Sequence, residues 1–194
     1  ELGYPTKQNE RLTRRMLEFR TKVMSPKANL AATAALEHYT ATLAEVLLSD
    51  PEAQRVIGSP EVLEVPVCHA REEKEHKSVA LDVYKAGGGR ERPRAATMNF
   101  ITFGFIVGMS IQAALSMAGD RSTYRRGELR RSIRRLKTSP YLTKDVWRRL
   151  RDYNRPDFHP DDHDTTELLE RWRDHLFGVD GTLNERLAAR PVAA

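Results

Sequence analysis

Glu73 and His76 stand three residues apart in the run Cys68-His69-Ala70-Arg71-Glu72-Glu73-Lys74-Glu75-His76-Lys77, with His69 one heptad before His76. On a helix, residues three or four apart share a face, so His69, Glu73 and His76 form one column that Ala80 and Val83 continue. A carboxylate and an imidazole one turn apart can hold the same metal ion, which is how carboxylate-bridged bundle proteins present Glu-x-x-His. The motif is weak alone. Glu37 strengthens it, because it falls on a stripe of Leu30, Ala34, Ala41, Ala44 and Leu48, where a carboxylate is costly without compensation.

Glu37 with Glu73 and His76 is the donor set of one half of a ferritin-like di-metal site: a Glu from one helix and a Glu-x-x-His from the next. Carboxylate oxygen and imidazole nitrogen suit iron, manganese or zinc better than calcium. His69 reads either as a further metal ligand or as a donor that orients Glu73. Glu72, Glu75 and Lys77 point away from the column and read as a solvated face, and His38 faces elsewhere than Glu37. A second candidate metal site is His159, Asp161 and His163, in a loop whose plainer reading is a polar connection with Phe158 turned inward and Asp164 or Thr165 capping the next helix. No serine or cysteine nucleophile arrangement emerges, and Gly87-Gly88-Gly89 follows a helix, so it reads as a stop.

The elements that must position these groups are helical. Ala, Leu, Glu and Arg dominate the 194 residues, with only 11 Gly, so the class is all-α. The expected helices run over 7–23, 27–48, 61–85 bent or restarted near Pro66, 95–119, 127–137, 144–153 behind Thr143, and a last one behind Thr165 or Thr166. The organisation expected is a metal-binding bundle over 1–120, a basic helical region of the same domain over 121–180, and a flexible tail over 181–194. Cys68 is the single cysteine, which excludes an intramolecular disulfide and suits a reducing, cytoplasmic setting. No signal peptide is visible.

Two stretches stand apart. Residues 95–119 carry no charge but include polar side chains and a Gly104-x-x-x-Gly108 step. They read either as a bundle helix with a close-packed seam or as a helix in contact with a membrane. Of the net +5 charge, the cations crowd into 121–151, where Arg130, Arg131, Arg134 and Arg135 form the candidate anionic-surface site. Aromatic residues are not interleaved with these arginines, which disfavours nucleic acid as a partner.

Residues 31–41 (Ala-Ala-Thr-Ala-Ala-Leu-Glu-His-Tyr-Thr-Ala), His69 through Lys77, Ala80 to Tyr84, and Pro156-Asp157-Phe158-His159-Pro160 together resemble the bacterial family of predicted metal-dependent hydrolases. The resemblance covers about Gly3 to Trp172. It implies a ferritin-like helical domain with a metal site. In that family a further carboxylate helix and a second Glu-x-x-His helix precede the position of Gly3-Tyr4-Pro5. The expectation is therefore a truncated form holding half of a site. The functional expectation is a metal-dependent hydrolase acting on a small, hydrophobic substrate with a divalent transition metal (iron, manganese or zinc). Alternatives are oxygen chemistry at a di-iron centre, a membrane-associated protein in contact with lipid through 95–119, and a basic nucleic-acid binder. Self-association into a homo-oligomer is a further expectation.

Overall fold

The computed structural model describes residues 6–57, 60–119 and 121–184. They are helical, and no strand occurs among them: α1 (Thr6–Val23), α2 (Pro26–Ser49), α3 (Pro51–Ile57), α4 (Pro60–His76), α5 (Val79–Ala86), α6 (Glu91–Gly119), α7 (Glu128–Lys137), α8 (Lys144–Asp152) and α9 (Thr166–Phe177), with short 3-10 turns between some of them. The all-α reading holds.

Helix α2 is the hub. Ser25 caps it by accepting the Ala28 N–H at 3.2 Å, and Pro26 takes the first helical position, where its missing N–H costs nothing. Ala31, Ala32, Ala34, Ala35, Ala41 and Ala44 are buried along it. Their small side chains let α4, α5, α6 and α8 all pack on one helix. One apolar cluster joins Ala31, Ala35 and Tyr39 to Leu81, Tyr84, Met98, Leu150, Tyr153 and Phe158. A second joins Leu47 and Leu48 to Val67, Ala70 and Leu176. Gly181 is buried and Leu183 packs on the second cluster, so the start of the expected tail is docked; its remainder, 185–194, lies outside the described residues.

Helix α4 differs from expectation. It continues through Pro66 without a restart and stops at Lys77-Ser78, where α5 begins anew. Lys77 stands at the break. It turns inward, buried, to donate to the His163 carbonyl at 2.8 Å and to pair with Asp161 at 3.4 Å, so it does not belong to a solvated face. Lys74 is buried too, donating to Glu45 Oε2 at 2.9 Å, while Arg149 takes Glu45 Oε1 at 2.6 Å. Glu72 is exposed as expected, and the Glu75 side chain lies outside the described residues.

His38, buried against Tyr153 and Phe158 with both ring centroids at 5.0 Å, faces the interior and donates from Nε2 to the Arg149 carbonyl at 3.0 Å. Burial, more than any neighbouring charge, lowers its pKa to about 4. Because the unfolded imidazole titrates near 6.5, the unfolded chain binds the extra proton between those values. This contribution to stability is therefore full above pH 6.5 and is lost as pH falls through 4, by about 3 kcal/mol in all. Urea unfolding of the wild type and His38→Gln across that range is expected to show a shallower loss in the variant.

Helix α6 is the other departure. It is anchored by Arg94 and Met98 and by Phe105 against Tyr39 at 4.6 Å between centroids. Beyond Ile101 and Thr102 its side chains are exposed, Phe103 at 66% and Leu115 at 67%; Phe100 and Ile106 are exposed too. A Cβ added at Gly104 or Gly108 would meet nothing within 4 Å, so the small-residue seam has no neighbour inside the described chain.

Candidate metal centre

The break between α4 and α5 shapes the site. It frees the first N–H groups of α5, which have no partner within their own helix. One of them, Ala80 N–H, donates to Glu37 Oε2 at 3.3 Å. Glu37 is half-buried at the edge of the alanine stripe. Across from it, Glu73 Oε2 accepts from the Thr40 hydroxyl at 2.6 Å, and Glu73 Oε1 lies 3.4 Å from His69 Nε2. Thr40 stands one helical turn after Glu37, so one hydroxyl ties the α4 carboxylate to the α2 face that carries the other.

The group is coupled electrostatically. Burial raises the Glu37 pKa; the Ala80 N–H opposes this, the neighbouring Glu73 charge pushes it further up, and His76 pulls it down. Glu37, Glu73 and His76 thus lie within electrostatic reach on one side of α2. No lysine or arginine pairs with either carboxylate among the described residues; His69 is the basic group beside Glu73. The contrast with Glu45 is plain, since Lys74 and Arg149 neutralise that carboxylate from both sides. His69 and His76 are exposed, which leaves imidazole nitrogens accessible from the same side.

Oxygen and imidazole donors, two negative charges and no built-in cation fit a divalent metal ion. The shell is not closed: no three His, Cys, Asp or Glu side chains among the described residues stand close enough to hold an ion as they are. Glu37, Glu73 and His76 would hold it, with His69 next to Glu73. Cys68 is half-buried, and burial raises its thiol pKa, so it offers no thiolate.

The second candidate cluster does not converge. His159 donates from Nε2 to Asp82 at 2.9 Å, while its Nδ1 accepts the Asp161 N–H at 3.2 Å. His163 Nε2 meets Asp152 at 3.1 Å and its Nδ1 faces Arg149 at 3.5 Å. Both rings spend both nitrogens on protein partners, and Asp161 faces Lys77. Lys85 adds a bond to the Phe158 carbonyl at 2.9 Å. These contacts strap the loop of 155–165 onto α5 and α8, with Phe158 buried beneath it and Asp164, not Thr165, capping α9 through the Thr166 N–H at 2.9 Å.

The first 164 residues match the family model described as predicted metal-dependent hydrolase. The chain belongs to that family. No curated protein and no solved structure matches it. The match spans Glu37, Glu73, His76 and most of the strapped loop.

Sequence reasoning missed Ala80 N–H, Thr40 and Arg94. The Ser78 N-cap position, immediately before Val79 and Ala80, was the available signal for a new helix start. Nothing in local periodicity marks Thr40 as reaching Glu73, because that contact is between helices.

Proposed function

We propose that this chain is a hydrolase whose metal sits between α2 and the α4–α5 junction, in a half-site of ferritin-like kind. The observation that carries the reading is the Glu37–Glu73 pair: two carboxylates on one side of the hub helix, each held by a neutral donor, with no lysine or arginine between them. Nearby carboxylates without a cation repel each other, and a divalent ion removes that penalty.

Each residue then has a task. Glu37 and Glu73 supply anionic oxygens, and His76 supplies a neutral imidazole. Thr40 and Ala80 N–H fix the carboxylates so that one oxygen of each is left toward the open side. His69, beside Glu73 Oε1, either joins the ligands or holds Glu73. A bound zinc, manganese or iron ion supplies Lewis acidity and an acidified water for attack on an ester, amide or phosphoester. Solvent would complete the shell. Leu36, Val79 and Val83 are exposed next to Glu37 and Ala80 on the same elements, so the substrate expected is small and hydrophobic.

The test is chelator-stripped protein assayed against aryl esters and phosphoesters with zinc(II), manganese(II) or iron(II) returned. Activity is expected only with metal and is expected to vanish in Glu37→Gln. Turnover that is indifferent to chelation and to Glu37 would refute the reading.

A further inference from the structure

We propose that α7 and the exposed length of α6 form a docking face for an anionic lipid bilayer, with both helices lying in the plane of the membrane surface. Helix α7 separates its residues cleanly. Leu129, Ile133 and Leu136 recur at spacings of four and three and share one face, while Arg130, Arg131, Arg134, Arg135 and Lys137 take the other. None of its side chains is buried, and Leu136 is 60% exposed. Arg131 pairs with Glu128 at 2.6 Å, within the helix itself. A short helix with an unpartnered apolar face and an arginine face has the form of an interfacial lipid-binding helix.

The element preceding α7 supports the same partner. Helix α6 spans 29 residues, about 43 Å at the usual rise. It carries no charge over 95–119, and the most apolar part of it is wholly unburied. A long uncharged helix that leaves so many large apolar side chains in water marks a contact surface for a partner or for lipid. Its first turns are fastened to α2 through Met98 and Phe105, and after α7 the chain returns to α2, α3 and α8 at the 3-10 turn Pro140–Leu142. Because the chain leaves the body at the start of α6 and rejoins the same body at Pro140–Leu142, α6 lies along a bilayer rather than across it. Tyr124, exposed at the link between α6 and α7, is placed as an aromatic at headgroup level.

Charge decides among partners. Nucleic acid would use the arginines and leave Leu129, Ile133 and Leu136 in water. A second copy meeting α7 apolar face to apolar face would leave the arginines of both copies without a counter-charge. An anionic bilayer engages both faces, phosphates with the arginines and acyl boundary with the apolar side chains.

Co-sedimentation of the full chain with phosphatidylcholine vesicles, with and without phosphatidylglycerol, tests this. Binding is expected only to the anionic vesicles, and weakened when the Debye length is cut from about 10 Å to about 3 Å with salt. Arg134→Ala with Arg135→Ala is expected to weaken it about 25-fold, roughly fivefold per cation. Leu129→Ser with Ile133→Ser should abolish it at unchanged helical circular dichroism, since neither side chain is buried. Glu73→Gln should bind vesicles as the wild type does, which separates this face from the metal reading. Equal binding to neutral vesicles, no binding to either, or duplex DNA bound equally by wild type and Leu129→Ser/Ile133→Ser would overturn the proposal. So would a lipid-free dimer, by light scattering, that Ile133→Ser dissolves.

Discussion

Arg94→Ala is expected to lower the unfolding free energy by about 3–5 kcal/mol, the cost of breaking a buried charged network. Arg94 is 0% exposed, a burial that arginine tolerates only with full pairing. It donates to the Tyr153 carbonyl, to the Arg155 carbonyl at 2.7 Å and to Glu91 at 2.7 Å, and its guanidinium lies 4.7 Å from the Tyr153 ring centroid. It thereby closes the end of α8 onto the start of α6, where the strapped loop begins. The alanine variant would strand two carbonyls and open a cavity beside Tyr153. Lysine keeps the charge but lacks the planar fork that reaches both carbonyls, so Arg94→Lys should recover only part of the loss. Urea unfolding at unchanged slope measures both. A loss under about 1 kcal/mol for Arg94→Ala, the size of a single ordinary hydrogen bond, would show that the network is not holding α6 to α8.

Arg94 also marks where sequence reasoning stops. Within a helix, the 3.6-residue period makes faces legible: α2 with its alanines, α8 behind Thr143 and α9 ending at Phe177 were readable that way. Phe158 could be placed inward because an aromatic amid aspartates and prolines has little else to do. Contacts between distant elements leave no such trace. Arg94, Lys74 and Lys77 look like solvent-facing cations until the carbonyls and carboxylates they reach are known. The strapped loop bears out its plainer reading as a polar connection, and its alternative as a metal site fails for the same reason. Its histidines and aspartates have metal-ligand chemistry, but Asp82, Asp152 and Arg149, remote in sequence, occupy their nitrogens. For the metal centre, the residue types and helical column were legible, whereas the Lys77-Ser78 break that aims Ala80 N–H at Glu37 was not.

The second large effect concerns that centre. Glu73→Gln removes a proposed ligand and one of two charges, and is expected to weaken manganese(II) binding by about 100-fold or more, beyond what loss of an orienting neighbour costs. Thr40→Val removes only such a neighbour and should cost about 10–100-fold. Proton competition sets the pH dependence. Burial and Glu73 raise the Glu37 pKa, so affinity should fall as pH drops through that raised value and recover above it. The most direct measurement is an electron paramagnetic resonance titration that counts free manganese(II) against wild type, Glu37→Gln, Glu73→Gln and His159→Gln. The account predicts one saturable site that both glutamine variants at 37 and 73 lose and His159→Gln keeps. Binding that survives in Glu37→Gln and Glu73→Gln, or that depends on His159 instead, would contradict it.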